Sequence, residues 1–196
     1  METKTMLQGE NIQLLPFSSK YWSNVAAWFY DKEYSEMYRQ STRMLSEEDF
    51  KQYSRVMGGE VFMIHLLDSE KPIGMVQVIP SDKKNKAGYI GLIIDKEHQS
   101  KRLPTEVFLI FFDYLFNRQG YNKIIIEILE NNTSLKNSIA ANGFYREGKL
   151  IQECFIEGRY VNELRYSMTA YYFNKTRAKA LQEYESWVES SKKQQS

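Results

Sequence analysis

Cysteine is almost absent. A single one, Cys154, stands in 196 residues, which excludes an internal disulfide and a cysteine-based zinc site and fits a reducing compartment. Histidine is nearly as rare, with two, and no His/Cys/Asp/Glu cluster has metal-ligand spacing. Charge of one sign is missing too. Lys and Arg number 26 against 25 Asp and Glu, a net charge of +1, so there is no basic excess for nucleic acid. The longest apolar run, residues 107–116, is broken by Asp113 and falls far short of the ~20 residues of a membrane span. The first residues, METKTMLQGENIQL, contain no apolar signal-peptide segment. The expectation is a cytoplasmic protein that engages neither nucleic acid nor membrane. No internal repeat or low-complexity block is evident.

The chain has 42% hydrophobic residues, including 14 Tyr, 11 Phe and 3 Trp, enough to fill a core. Residues 11–15 read as a first strand ended by Pro16. Residues 19–30 read as a helix with Trp22, Val25, Ala26 and Phe29 on one face. A second helix starts near Ser46, where Asp49 three residues on forms a capping-box pattern, and stops at Gly58-Gly59. Residues 61–67 and 73–79 read as a hairpin across a turn at 68–71. Lys83, Lys84 and Lys86 mark a solvated loop. Residues 123–129 (KIIIEIL) are the most strand-like run. Residues 131–141 read as a short helix ending at Asn142-Gly143, and 144–148 as a turn or the start of a strand. Residues 150–156 and 160–168 read as a second hairpin. Residues 174–190 form a polar helix with Leu181, Tyr184 and Val188 on one face. So short an amphipathic helix needs a docking surface, on the domain or on a second subunit.

Residues 89–116 are the stretch around which the rest is organised. Residues 89–94 are β-branched and apolar, as a buried strand should be. A charged loop follows. Pro104 then suits the first turn of a helix whose apolar positions are Val107, Phe108, Ile110, Phe111, Tyr114 and Leu115; Gly120 ends it. A loop feeding a helix N-terminus offers N–H groups and a positive dipole end to an anion. The element order is β α α β β β α β α β β, an α/β fold whose central sheet has parallel and antiparallel parts.

This order and several local strings resemble the GNAT superfamily of N-acetyltransferases over residues 7–172. The strings are 123–129, Asn132, Gly143-Phe144, Glu147-Gly148 and FIEGRYVNELRYSM at 155–168, with the Pro72-Ile73-Gly74 turn. They are most similar to the branch holding ribosomal-protein N-terminal and spermidine/spermine acetyltransferases. The resemblance implies a mixed central β-sheet flanked by helices (residues 1–172), followed by a C-terminal helix and tail (173–196). It also implies acetyl-CoA as cofactor, lying across splayed central strands, and an amine acceptor that is a small molecule, a polyamine or a protein N-terminus. A homodimer is compatible with the tail and the last hairpin.

In that family a glycine-containing loop cradles the CoA pyrophosphate. The matching residues are Gln99, Ser100, Lys101, Arg102, Leu103, Pro104 and Thr105, with Arg102 and Pro104 at the two glycine positions. Pro104 removes a donor, whereas Lys101 and Arg102 add cationic ones. The resemblance further places Ile93 and Ile94 beside the pantetheine arm and Asn132 at the CoA, although an asparagine there also fits a helix cap. Tyr89 stands where relatives carry a catalytic Glu, and Ile139 where they carry a Tyr. Tyr89 and Ser138 are therefore the catalytic candidates, with Ser134 and Glu127 nearby; a packed aromatic and a small helix residue are their plain readings. Glu33, Glu36, Glu47, Glu48 and Asp49 fall where relatives build the acceptor pocket, or serve as ordinary helix-surface and first-turn acids. Two function classes follow: an acetyl-CoA-dependent N-acetyltransferase, or a domain of that fold that has lost catalysis and binds a partner protein or a small ligand.

Overall fold

A computed structural model of the chain describes residues 7–32, 34, 46–99 and 102–193. Its centre is one seven-stranded sheet. The strands are β1 (Ile12–Pro16), β2 (Glu60–Leu66), β3 (Pro72–Asp82), β4 (Ala87–Ile94), β5 (Lys123–Leu129), β6 (Tyr145–Ile156) and β7 (Arg159–Thr169), in the order β1-β2-β3-β4-β5-β7-β6. Every neighbouring pair is antiparallel except β4 with β5, which is parallel. A parallel step needs a crossover, and here it is the helix α3 (Leu103–Asp113) with its π-helical last turn (Tyr114–Arg118). Gly120, at φ +71°, closes that crossover.

Alternation along the strands divides the apolar residues between two cores. Ile90 and Ile94 of β4 and Ile124, Ile126 and Ile128 of β5 point to one face, packed against Val107, Phe108, Phe111 and Phe112 of α3. Helix α4 (Thr133–Ala141) lies on that face as well, with Ile139 fully buried. Ile93 points to the other face, where Met63 and Met75 meet Val25 and Trp28 of α1 (Trp22–Tyr30) and Phe50 of α2 (Glu47–Met57). Each large side chain removed from water in this way contributes about 1.5–3 kcal/mol.

The element ends differ from the pattern reading in informative ways. Strand β5 is bounded as expected. The capping box at Ser46 is formed, with Asp49 N–H donating to Ser46 Oγ (3.1 Å) and Ser46 N–H to Asp49 Oδ2 (3.1 Å). Trp28, not Trp22, is the buried tryptophan of α1, because its indole N–H reaches Asp95 Oδ1 at 2.6 Å and draws the ring under the sheet end. Strand β3 runs past Ile79 to Asp82 through an irregularity near Pro80, which tolerates the missing donor. Residues 144–148 largely join β6, which begins at Tyr145 and carries two bulges against β7.

The last helix, α5 (Ala170–Lys193), starts directly after β7 and docks on the domain rather than projecting from it. It lies antiparallel along α3. Phe173 meets Phe112 and Phe116, Arg177 pairs with Asp113 at 2.8 Å, and Tyr184 hydrogen-bonds Glu106 at the other end of α3. Tyr184 and Val188 are buried in this contact, whereas Leu181 stays exposed.

Candidate active site

Strands β4 and β5 pair over three positions only: Ala87 with Lys123, Gly88 with Ile124 and Tyr89 with Ile125. Beyond Tyr89 the two strands part, and five residues of β4 and four of β5 run on without pairing to each other. The far edge of β4 remains fully paired to β3. Asp95 N–H donates to Ile73 O on β3 at 2.8 Å, so by alternation the main-chain groups of Ile94 and Leu92 face the gap. Gly74 holds the β3 side close, since a Cβ there would lie 2.2 Å from Ile93 O. The result is a wedge whose β4 wall can take one extended chain by strand-like pairing.

Tyr89 sits at the apex of the wedge. Its phenol oxygen accepts a hydrogen bond from Arg165 Nη2 at 3.1 Å, and the guanidinium lies 5.8 Å from its ring centroid. Arg165 is held by Glu127, with Nε and Nη2 both donating to Oε1 at 2.8 and 2.6 Å. Glu127 and Arg165 are direct cross-strand partners on β5 and β7. The Glu127 hydrogen bond keeps the Arg165 pKa above its ordinary value, so the guanidinium is a permanent cation here. A second carboxylate, Glu147, accepts from Ser167 Oγ at 2.8 Å and pairs with Lys123 at 3.1 Å; the Ser167 bond, then Lys123, holds its pKa below the ordinary carboxylate value.

The other expected residues fall in different places. Ser138 is on α4, which packs on the sheet face opposite the Tyr89 side chain, and its carbonyl accepts from Asn142. Asn132 is the N-cap of α4, accepting from Leu135 N–H at 3.0 Å. Ile93 turns its side chain into the α1 core, whereas Ile94 presents its main chain to the gap. The Ile94 carbonyl already receives Gln99 Nε2 at 2.8 Å and the Tyr34 hydroxyl at 3.3 Å, so Gln99 staples the loop to the strand end. Ser100, Lys101, Glu33 and Glu36, together with the Ser134 side chain, lie outside the described residues. Of the acids on α2, Asp49 caps the helix and Glu47 pairs with Lys51 at 2.7 Å. Among the described residues no cluster of His, Cys, Asp and Glu could hold a metal, and no helix is long and apolar enough to cross a membrane.

Arg102 is the informative departure. It is the N-cap of α3 and adopts φ 52°, ψ 9°, the left-handed conformation that favours glycine. The chain therefore keeps a glycine-like backbone with an arginine side chain, at a cost of about 1–2 kcal/mol. Main-chain donors are scarce at this helix end. Pro104 has none, and the N–H groups of Thr105 and Glu106 turn back to Arg102 O at 3.1 and 3.3 Å. Among the described residues of this turn, the exposed Arg102 guanidinium is the cationic donor available to an anion at the mouth of the wedge. The helix end is anchored from behind by Glu106, a buried carboxylate that accepts from Glu10 N–H (2.5 Å), Asn11 N–H (2.9 Å), Asn11 Nδ2 (3.2 Å) and the Tyr184 hydroxyl.

A mixed sheet split between two parallel strands, with a helix N-terminus at the mouth of the split, defines an architecture made to hold an extended ligand with an anionic end. Residues 11–145 match the Acetyltransferase (GNAT) domain family. The chain belongs to that family. It is 30% identical over 105 residues to the spermidine N(1)-acetyltransferase of Vibrio cholerae, and 30% identical over 98 residues to that of Escherichia coli K12. These matches cover 53% and 50% of this chain, and they span 61% and 52% of the two relatives. In fold, the chain is similar to the crystal structure of spermidine N-acetyltransferase from Vibrio cholerae in complex with CoA and spermine (TM-score 0.75, 19% identity, 84% of this chain and 99% of that one). It is also similar to a ribosomal L7/L12 alpha-N-protein acetyltransferase in complex with coenzyme A (TM-score 0.70, 15% identity, 82% and 95%).

Proposed function

We propose that the protein is an acetyl-CoA-dependent N-acetyltransferase acting on a primary amine, a polyamine or a protein N-terminus. The observation that carries this reading is the wedge between β4 and β5 with Tyr89 at its apex. Acetyl-CoA supplies an activated thioester. The residues present fit it: the main chain of Leu92 and the N–H of Ile94 suit the amide-bearing arm, and Arg102 suits the phosphates.

Tyr89 is the general acid in this reading. Its oxygen accepts from Arg165, so its own O–H is directed elsewhere and is available to donate. The permanent charge on Arg165 stabilises negative charge growing on the phenol or on the leaving sulfur. Glu127 fixes Arg165 in place. Ser138, on the opposite face of the sheet, is the second candidate for the leaving side. The attacking amine must be neutral, and its proton passes to solvent as the acyl–nitrogen bond forms and the carbon–sulfur bond breaks.

The test is release of free CoA from acetyl-CoA in the presence of spermidine, spermine or a short peptide with a free N-terminus. Turnover with one of these, with a fall in kcat in Tyr89→Phe, supports the reading. No release with any of them, with the cofactor bound, points to a binding domain that has lost catalysis.

A further inference from the structure

Helix α5 reaches the mouth of the wedge. The Arg102 guanidinium lies 5.7 Å from the centroid of the Trp187 ring. Trp187 is itself packed against Tyr184, with ring centroids 5.9 Å apart, and the Tyr184 hydroxyl is bonded to Glu106 one turn into α3. A chain of contacts therefore runs from the buried carboxylate through two aromatic rings to the Arg102 guanidinium. The antiparallel docking of α5 on α3 fixes its register at the far end as well, through Phe173 on Phe112 and Arg177 on Asp113. Trp187 is thus held to α3 by several independent contacts.

An exposed arginine on a loop samples many rotamers, and binding an anion has to freeze them. A ring under the guanidinium reduces that freedom without consuming donors, because the π-face meets the plane of the cation while its N–H groups stay at the edge. Arg102 holds a left-handed backbone at the N-cap of α3, and Trp187 meets its guanidinium there.

We propose that Trp187 is a positioning residue for cofactor phosphate: it holds Arg102 over its ring so that the guanidinium edge faces the anion at the start of α3. This rests on the reading of the wedge as the acetyl-CoA site. It adds a contribution from α5, a helix outside the matched residues 11–145.

The test is calorimetric titration of the full-length protein with CoA and, separately, with S-acetylpantetheine, which has no phosphate. The variants are Trp187→Leu, Trp187→Phe, Arg102→Lys and the Trp187→Leu/Arg102→Lys pair. Trp187→Leu should weaken CoA binding about two- to fivefold, the usual worth of an exposed cation–π contact, and leave S-acetylpantetheine unchanged. Trp187→Phe should stay near the parent. Arg102→Lys, an exposed change that keeps the charge and loses the planar cation, should weaken CoA similarly, and the pair should be no weaker than Arg102→Lys alone. Equal CoA affinity in Trp187→Leu and the parent would overturn the proposal, as would additive losses in the pair or an equal loss toward S-acetylpantetheine. A parent protein that binds neither ligand would overturn the acetyl-CoA reading itself, so the two failures are distinct.

Discussion

Removing the Tyr184 hydroxyl should loosen the whole C-terminal helix. In Tyr184→Phe the ring still fills its place against Trp187, but Glu106 loses one of its four donors. A hydrogen bond to a charged group is worth about 1.5–3 kcal/mol. Glu106 is only 2% exposed, so no water replaces the lost donor easily, and the upper half of that range applies. For a chain of this size each kcal/mol moves Tm by about 2–4 °C, so the expected drop is roughly 5–12 °C. Glu106→Ala should cost more, about 3–5 kcal/mol, because it strands the N–H groups of Glu10 and Asn11 as well as the phenol. Thermal unfolding of the two single variants and the pair, followed by circular dichroism, measures this. The two losses should be strongly non-additive, since both remove the same bond. A Tm for Tyr184→Phe within a degree of the parent, or additive losses in the pair, would refute the idea that this buried carboxylate ties α5 to α3.

Four further outcomes follow from the same geometry. Tyr89→Phe should lower kcat about 10²–10⁴-fold with little change in the KM for acetyl-CoA, as expected when a general acid is removed from an intact binding site; steady-state kinetics decide it. Glu127→Gln weakens the hold on Arg165 and should lower kcat in the same direction by a smaller factor, with Tm measured alongside. Burial, with Lys20 nearby, lowers the His65 pKa, so the neutral ring is the folded form and stability should be full above pH 6.5 and fall as the pH drops below it; denaturant midpoints between pH 7 and 5 should show a shallower slope in His65→Phe. Burial and the bond to Glu60 push Tyr114 up to about 12, so its neutral form is favoured, stability should decline from about pH 10 toward 12, and Tyr114→Phe should reduce that alkaline loss.

What was legible in the sequence was local. The unbroken apolar run of β5, the Ser46/Asp49 capping box, the glycines after α2 and α3 and the proline at the start of α3 each act over a few residues, and each appears where the pattern places it. The place of Tyr89 was legible through the family resemblance, but its partner was not. Arg165 lies 76 positions away and meets Tyr89 only because β7 inserts beside β5. The wedge left no periodic signal either, since β4 and β5 are apolar along their paired and unpaired parts alike. Gln99 shows the same limit: no local pattern announces that it staples the loop to Ile94, whereas the helix cap at Asn132 was one of its two readings. Glu106 gave no hint at all. A glutamate in the first turn of a helix is ordinary, and nothing local says that Asn11, 95 positions earlier, and Tyr184, 78 later, converge on it.

The central claim is that the wedge between β4 and β5 holds acetyl-CoA, with a positive mouth carried by arginine in place of glycine. Calorimetric titration of cofactor-stripped protein with acetyl-CoA tests it most directly. Binding in the micromolar range, weakened by Arg102→Ala, is the predicted result. No heat of binding at millimolar acetyl-CoA would contradict it.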